Sequence, residues 1–185
     1  RVLCSADYDR AAEYMQKLLP FRVHEYPACE EKNGWVIPPR WDVLEATISR
    51  DGTVIYDGSK SPLGTIVLSS SVDKTVSRDE LRRHLFFDHR YDDAVPYHFR
   101  QEYRSWNRDW GFCVPRQFYD QLPEGHYEVV IRTAESDGVL RVLEYEHHGE
   151  LPHTIVLMSH LDHPGMSNDG LAGCAVGAEV MRRLE

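Results

Sequence analysis

Hydrophobic positions at the start of the chain follow a helical spacing and then a strand spacing. Apolar residues from Tyr8 to Leu19 recur on one face of a predicted helix, which Pro20 ends. Residues 21–26 then alternate between apolar and polar, which is typical of a half-buried strand. The chain is therefore predicted to begin with a helix followed by a strand.

From Pro27 to about Pro123 the pattern changes to short β-like runs separated by prolines and tryptophans. These runs cover residues 35–37, 44–48, 53–56 and 65–68. Asp51-Gly52 lies between two of them and is a strong hairpin signal. This stretch is predicted to form a small, largely antiparallel module.

A helix and an aromatic block are predicted within the same stretch. Ser77 precedes Glu80 by three residues, which is the capping-box spacing and predicts a helix over residues 77–87. Aromatic residues interleaved with charges fill residues 91–97 and 103–113. They could line a ligand-binding wall, or they could form the core of a module that is short of aliphatic side chains.

Regular patterns return in the last third of the chain. Residues 127–131 and 139–145 are predicted strands, and Ser136-Asp137-Gly138 between them predicts a hairpin. Residues 154–158 form a short, continuous and partly β-branched apolar run, which predicts a buried strand. Residues 171–184 return to helical spacing, so the chain is predicted to end with a strand, a loop and a helix.

Composition narrows the function classes. The net charge of −9 argues against a general nucleic-acid binder, which needs a basic surface, although ordinary solubility also accounts for an acidic balance. No apolar stretch approaches the roughly 20 residues of a membrane span, so no membrane partner is expected. The four cysteines are scattered, which predicts free thiols in a reducing compartment, and we expect a cytoplasmic protein.

The two ends of the chain carry no terminal signals. The sequence begins with Arg1 rather than methionine, and the helical pattern still runs at Glu185 without a Gly or Pro stop. A chain of 185 residues has room for one core with a sizeable appendage. We therefore expect the N-terminal portion of a longer protein.

The densest chemistry lies between the last predicted strand and the last predicted helix, where residues 159–170 have the sequence S-H-L-D-H-P-G-M-S-N-D-G. His160 would leave the carboxyl end of the strand, where ligands bind in open α/β sheets, and Asp169 would stand near the helix start. Both are zinc ligand types and could converge on one ion, with a position left open for water. Asp162 would project from the same side as His160 and could orient it.

Two further residues of this segment admit several roles. His163 could ligate a metal, face a substrate, or only hydrogen-bond within the turn that Pro164 and Gly165 create. Asn168 is expected to hold the loop backbone through an Asx-type bond, with contact to a ligand as the alternative. The whole segment could also be a polar connection with a fortuitous run of histidines. Only the combined pattern S-H-L-D-H-P-x-x-x-N-D-G-x-x-G after an apolar run is fairly specific.

At these residues the chain resembles the aminopeptidase-like metallohydrolases of the zinc exopeptidase clan. It looks most like a bacterial aminopeptidase-like family related to the M28 aminopeptidases, DUF4910 with a DUF2172 insertion, whose stretch is similar to S-H-x-C-H-P-x-x-x-N-D-N-x-S-G. The segments Trp35-Val36-Ile37-Pro38, Trp110-Gly111-Phe112-Cys113 and Tyr127-Glu128-Val129-Val130-Ile131 also match its style. Asp162 stands where that family usually has cysteine, and Gly170 replaces a polar residue.

The resemblance implies an α/β fold: a partial aminopeptidase-like (phosphorylase/hydrolase-like) mixed sheet with flanking helices and an inserted, mainly-β module. Residues 1–28 and 125–185 would form the discontinuous aminopeptidase-like domain, incomplete at its C-terminal end. Residues 29–124 would be the aromatic-rich insertion. The strand that ends near Tyr26 would lie beside the strand at residues 139–145 in one sheet.

For the site, the resemblance implies that His160 and Asp169 are zinc ligands, with Asp169 bridging where two zinc ions are bound. Asp162 would be the catalytic acid that orients a ligand, and His163 a metal or substrate contact. Relatives supply the general-base glutamate and the remaining ligands from sequence further along. Zinc, as one or two ions, is the only cofactor expected.

The function implied is the N-terminal portion of a zinc-dependent aminopeptidase-like hydrolase. It would cleave a peptide or small amide substrate with metal-activated water, as a monomer or a homo-oligomer. One rival is a non-catalytic scaffold whose insertion binds a protein or a saccharide. A second rival is a metal-dependent deacylase of a biosynthetic small molecule.

Overall fold

The structure, a computed structural model, describes residues 2–102 and 108–184, so part of the predicted aromatic block, residues 103–107, lies outside the described residues. In chain order the elements are α1 (Ala6–Gln16), β1 (Arg22–Pro27), β2 (Glu31–Lys32), β3 (Trp35–Val36), β4 (Arg40–Arg50), β5 (Thr53–Asp57), a 3-10 turn (Gly58–Lys60), β6 (Val72–Ser77), α2 (Arg78–Arg83), β7 (Leu85–Phe86), β8 (Phe112–Cys113), α3 (Arg116–Asp120), β9 (His126–Ser136), β10 (Val139–Glu144), a π-type turn (Ser167–Leu171) and α4 (Ala172–Leu184). Within these ranges no helix combines the length and the apolar character that crossing a membrane requires.

These elements form two compact units. The terminal unit holds residues 2–40 and 136–184, and the central unit holds the described residues from Trp41 to Glu135. The mixed α/β fold class is confirmed, because helices and small sheets occur together. The predicted division into domains after residues 28 and 124 stays a prediction.

A four-stranded sheet organises the central unit, with strand order β5-β4-β9-β6. β4 and β5 pair antiparallel around the Asp51-Gly52 turn, so the predicted hairpin is confirmed. β6 pairs antiparallel with β9, from Val72 opposite Ile131 to Ser77 opposite His126. The largely antiparallel character predicted for this stretch is therefore confirmed.

The core of the central unit follows from the alternation along its strands. Tyr127, Val129 and Ile131 of β9 are fully buried, and Leu81 of α2 joins them. The remaining members are Ala46, Ile48, Val76, Leu85, Trp110, Phe112, Val114 and Leu122. Since Trp110 and Phe112 belong to this core, at least that part of the aromatic block serves packing rather than an exposed ligand wall.

The predicted helix after Ser77 forms but is shorter than expected. The Ser77 hydroxyl oxygen accepts a hydrogen bond from the backbone N–H of Glu80 at 3.2 Å, as the capping spacing predicts. The helix then ends at Arg83. It ends there because Leu85–Phe86 pairs as β7 with β8, which requires extended backbone.

The prediction of a β-like run at residues 65–68 is wrong, since they form no strand. The segment is buried, and Leu68 has a φ of 56°, which a strand does not accommodate. Its backbone N–H groups donate to carbonyl groups of other loops, Ile66 to Gly111 at 3.1 Å and Val67 to His98 at 3.0 Å. The apolar pattern here reflects a buried loop, which periodicity alone cannot distinguish from a buried strand.

The terminal unit contains the predicted opening helix and strand. Ser5 caps α1 by accepting from the backbone N–H of Tyr8 at 3.3 Å. β1 pairs antiparallel with β10, with Tyr26 opposite Leu140, so the expected neighbours in one sheet are confirmed. Asp9 of α1 forms ion pairs with Arg40 and with Arg141 of β10, which ties the helix to the strand pair.

The predicted hairpin between residues 127–131 and 139–145 is wrong. β9 pairs within the four-stranded sheet, whereas β10 pairs with β1. Ser136 is the last residue of β9, and residues 137 and 138 lead directly into β10. The carbonyl of Gly138 accepts a hydrogen bond from the backbone N–H of Ala28 at 2.8 Å. β10 pairs with β1 at six positions, and a local hairpin with β9 would have to give up these pairs.

The buried strand predicted at residues 154–158 is also wrong in this structure. The run has no strand assignment, and the side chains of Ile155 and Met158 are 89% and 93% exposed. A buried strand needs neighbouring strands on both sides, and none of the described residues supplies one. His160 therefore follows an exposed apolar run instead of a strand end.

Candidate metal centre

Four side chains predicted for the site come together in the terminal unit. Nε2 of His160 lies 3.1 Å from Oδ1 of Asp169, and Nδ1 of His160 lies 2.6 Å from Oδ1 of Asp162. The rings of His160 and His163 meet edge to face, with centroids 4.7 Å apart. Two imidazoles and two carboxylates thus form one cluster, which we call the histidine cluster.

The two ring nitrogens of His160 face different carboxylates. Because an ionised carboxylate only accepts, the 2.6 Å contact requires Nδ1 to donate its proton to Asp162. This hydrogen bond raises the pKa of His160 above its ordinary value, with partial opposition from desolvation. When the ring is neutral with its proton on Nδ1, its lone pair is on Nε2, which faces Asp169 and is the nitrogen available to a metal.

The spacing of these atoms suits zinc at one pair and a hydrogen bond at the other. With bonds of about 2.0–2.2 Å, a tetrahedral zinc ion separates two of its ligand atoms by about 3.4 Å. The 3.1 Å between His160 and Asp169 needs only a slight opening to admit an ion. The 2.6 Å between His160 and Asp162 is too short for two ligands of one ion. The donor set therefore fits zinc held by His160 and Asp169 and oriented by Asp162.

A different ligand set is conceivable from proximity alone. His160, Asp162 and His163 each have a potential ligand atom within 4.8 Å of the others. That set would use Asp162 as a ligand, although its Oδ1 is already engaged by Nδ1 of His160 and lies 3.9 Å from Nε2 of His163. We favour the pair of His160 and Asp169, because it leaves the Asp162 hydrogen bond intact.

Two glycines allow the start of α4 to approach the histidine. Gly170 has a φ of 92°, and a Cβ there would lie 2.6 Å from the carbonyl oxygen of His160. A Cβ on Gly173 would lie 2.4 Å from the hydroxyl oxygen of Ser159. That hydroxyl donates to the carbonyl of Gly170 at 3.1 Å, and the thiol of Cys174 donates to the carbonyl of His160 at 3.3 Å. The two ends of the loop are thereby held together.

Tyr8 of α1 reaches the same region. Its hydroxyl donates to the carbonyl of Arg141 at 2.8 Å, and burial, with the nearby negative charge of Asp162, raises the pKa of Tyr8 to about 12. Tyr8 and Asp162 line a largely apolar cavity of about 310 Å³ beside His160 and a second cavity of about 360 Å³ beside His163 and Asp169. The cluster is therefore open to small molecules on two sides.

The sequence predicted the four members of the histidine cluster but not the residues that hold the cluster in place. His160, Asp162, His163 and Asp169 were all expected here, while the prediction for Asn168 stays untested. The roles of Ser159, Gly170, Gly173 and Cys174 were not expected, although the S-H and G-x-x-G parts of the motif contain three of them. No sequence pattern indicated that Tyr8 reaches the cluster, because it lies about 150 residues away along the chain.

Comparison with known protein families identifies a family to which this chain belongs. A family described as "Domain of unknown function (DUF2172)" matches residues 40–134, slightly more than half of the chain. The chain belongs to this family, which confirms that part of the resemblance. Membership of DUF4910 and of the M28-related zinc exopeptidase clan stays a prediction.

A curated relative and a solved structure, both from Clostridium acetobutylicum, are similar over nearly the whole chain. One, provisionally named a polysaccharide biosynthesis protein with an aminopeptidase-like domain, is 30% identical over 176 residues, which is 95% of this chain and 40% of that protein. The other is a crystal structure of a provisional peptidase, 28% identical with a TM-score of 0.87, covering 100% of this chain and 43% of that one. The chain thus spans about two fifths of the length of these relatives.

Proposed function

We propose that this chain supplies part of the active site of a zinc-dependent, aminopeptidase-like hydrolase. The observation that carries the proposal is the arrangement of His160 between two carboxylates. Its Nδ1 is engaged by Asp162, and its Nε2 points at Asp169 at ligand-like spacing. A carboxylate–histidine–metal arrangement of this kind orients the ring and increases its basicity as a ligand.

Each residue has a defined part in the proposed reaction. His160 would hold the zinc ion through Nε2, and Asp169 would hold it through one carboxylate oxygen. Asp162 holds the proton on Nδ1 of His160, which fixes the ring and keeps its lone pair available. A zinc ion held there would supply Lewis-acid chemistry, polarising the scissile carbonyl and lowering the pKa of bound water toward neutrality. A general base that takes the proton of this water is not assigned to any residue of the described ranges.

The names of the relatives support the same class of reaction. One is provisionally a peptidase, and the other has an aminopeptidase-like domain. Since both extend well beyond the part that this chain matches, activity on a peptide is proposed for the natural protein that contains this chain. We expect the substrate to be a peptide or another small amide.

Calorimetric zinc titration tests the site directly. We expect one zinc site in the protein, weakened more than about 100-fold in His160→Ala, since loss of a ligand should exceed the effect of losing an outer partner. His148→Ala is the matched control, because the His148 side chain is 86% exposed and lies outside the cluster. Equal zinc binding by all three proteins, or by none, would contradict the proposal and favour the scaffold alternative.

A second candidate function is metal-dependent deacylation of a small molecule. The observation that favours it is the name of one relative, which refers to polysaccharide biosynthesis. The same zinc chemistry would then act on an amide of a saccharide or its precursor. Aminoacyl anilides and N-acyl amino sugars should be assayed side by side with the natural protein. Turnover of the N-acyl sugars alone would replace the peptidase assignment by deacylase.

A further inference from the structure

We propose that the cavity of about 310 Å³ beside His160 binds an apolar group of the substrate. The protein should therefore prefer amides that carry a branched aliphatic or aromatic side chain. This inference rests on the proposed function, because it assigns a substrate class to the same site. The cavity, which we call the apolar cavity, lies wholly within the terminal unit.

The apolar cavity is lined by α1 and the residues that flank it, by β10, by residues 157–162 and by α4. Its apolar side chains include Leu3, Met15, Phe21, Leu140, Val142 and Leu157. Pockets for small molecules range from about 300 to 1,000 Å³ and are lined mainly by apolar side chains. A cavity at the lower end of that range suits one side chain better than an extended peptide.

The polar side chains from α1 and β10 that line the apolar cavity are engaged with other protein groups. The hydroxyl of Tyr8 donates to the carbonyl of Arg141 at 2.8 Å. The guanidinium of Arg141 pairs with Asp9 and, at 2.9 Å, with Glu25. A ligand that buried a polar group here would lose its water and would have to compete with these bonds. An apolar group has no such cost.

The polar side chains between residue 159 and α4 are engaged in the same way. The hydroxyl of Ser159 donates to the carbonyl of Gly170 at 3.1 Å, and the thiol of Cys174 donates to the carbonyl of His160 at 3.3 Å. His160 and Asp162 line the same cavity. An apolar group bound there would thus lie next to the histidine that we propose as a zinc ligand.

Small residues of α4 leave the space that this group would occupy. Gly173, Cys174, Gly177 and Ala178 line the apolar cavity. A Cβ on Gly177 would meet nothing within 4 Å, whereas a Cβ on Gly173 would lie 2.4 Å from the hydroxyl oxygen of Ser159. Gly177 is therefore the position at which a larger side chain would fill the cavity without a backbone clash.

The cavity on the other side of the histidine cluster has a different character. Asp7, Asp162 and Asp169 all line the second cavity, of about 360 Å³. Burying an apolar group beside these carboxylates would remove water from them without giving them a partner. The apolar part of a substrate is therefore expected in the first cavity.

Substrate preference in the natural protein that contains this chain tests the inference. We expect kcat/KM for leucine anilide to exceed that for glycine anilide by about 10- to 100-fold. Gly177→Leu should reduce this preference to within about threefold, because the new side chain occupies the cavity. Val176→Leu is the matched control, because Val176 is 64% exposed, lies on α4 and does not line the cavity.

A widened cavity gives the opposite change. Leu157 lines the cavity and is 55% exposed, so Leu157→Ala should fold normally and should shift preference toward phenylalanine anilide by about threefold or more. Ile155→Ala, at a side chain that is 89% exposed and outside the cavity, should leave the preference unchanged.

Binding can be measured apart from turnover. Isovaleramide carries the side chain of leucine on a primary amide, and acetamide lacks the apolar part. In methyl NMR spectra recorded with a chelator present, isovaleramide should shift the signals of Leu140 and Leu157, and acetamide at the same concentration should not. Gly177→Leu should weaken binding of isovaleramide by about tenfold or more.

The outcomes separate this inference from the proposed function. If the protein neither binds zinc nor hydrolyses an anilide, the proposed function fails, and the substrate class assigned here fails with it. If it hydrolyses the anilides without preference, or if isovaleramide shifts neither leucine, only the inference fails. Equal effects of Gly177→Leu and Val176→Leu would also overturn it, since the apolar cavity would then not decide the preference.

Discussion

The central unit and the segment that carries the histidine cluster are built in different ways. In the central unit, strand alternation places a continuous set of apolar side chains in one core, with Phe112, Tyr127 and Ile131 fully buried. In residues 154–184, Ile155 and Met158 are almost fully exposed, and α4 has no fully buried side chain. The histidine cluster is held by polar contacts and close backbone approaches in place of a core. The two regions should therefore respond to opposite kinds of substitution.

Core truncation in the central unit should give the largest effect, and truncation of an apolar side chain in residues 154–158 should give little. Phe112→Ala removes a fully buried ring, with an expected loss of about 3–5 kcal/mol in the free energy of unfolding. Met158→Ala, at a side chain of similar hydrophobic character that is 93% exposed, should change it by less than about 0.5 kcal/mol. Urea titration followed by tryptophan fluorescence measures both. A large loss in Met158→Ala would mean that the exposed run is packed in solution.

Backbone close approach should matter most in the cluster. Gly170→Ala forces a side chain into a positive-φ position against the carbonyl of His160, with an expected loss of about 1–3 kcal/mol and weaker zinc binding. Gly177→Ala in α4 is the control, because a Cβ there meets nothing within 4 Å and should stabilise the helix by about 0.5–1 kcal/mol. Thermal melts and zinc calorimetry report the two effects. Unchanged zinc binding in Gly170→Ala would contradict this account of the loop.

A pH series should single out the buried thiol of the central unit. Burial raises the pKa of Cys113 from its ordinary value of 9.0 to about 12. The unfolded thiol therefore ionises first, so the stability that Cys113 contributes is complete below pH 9 and is lost as the pH rises toward 12. Between pH 8 and pH 10 the loss should be about 1 kcal/mol. Urea titrations should show this pH-dependent loss smaller by that amount in Cys113→Ala, and identical slopes would refute it.

The ion pairs of α1 should give the smallest effect. Asp9 contacts both Arg40 and Arg141 and is only 21% exposed, so Asp9→Asn should cost about 1 kcal/mol. Asp7→Asn, two residues before Asp9 in α1 and 40% exposed, should cost less than about 0.5 kcal/mol. Chemical denaturation at low and high salt measures both, and salt should reduce the difference. Equal losses of stability in the two variants would show that the ion pairs of Asp9 stabilise the protein no more than an exposed surface charge does.

The sequence predicted well where a pattern has one structural meaning. The Asp51-Gly52 hairpin and the Ser77 cap were found because those residues favour one local geometry. The members of the histidine cluster were found because they are close together in the chain and chemically distinctive. These features depend on few residues and little tertiary context.

Predictions failed where partner choice decided the outcome. The turn at Ser136-Asp137-Gly138 predicted a local hairpin, but β10 pairs with β1, over 100 residues earlier. The run at residues 65–68 is apolar because it is buried, and apart from an isolated bridge between Thr65 and Phe112 its backbone bonds to loops. The run at residues 154–158 has strand composition and no partner among the described strands. Long-range pairing leaves no trace in local periodicity, which is why these elements were missed.

The hydrogen bond between Ser159 and Gly170 affects how the loop at residues 159–170 can change in length. Because the Ser159–Gly170 hydrogen bond holds the two ends of the loop together, residues can be inserted at its tip without separating the residues next to that bond. Doubling the loop length adds only about 0.6 kcal/mol to the entropic cost of closing it. Insertions near Gly165 should therefore reshape the rim of the neighbouring cavity while His160 and Asp169 keep their separation. A change at the tip should therefore alter which ligands this cavity admits without altering the cluster itself.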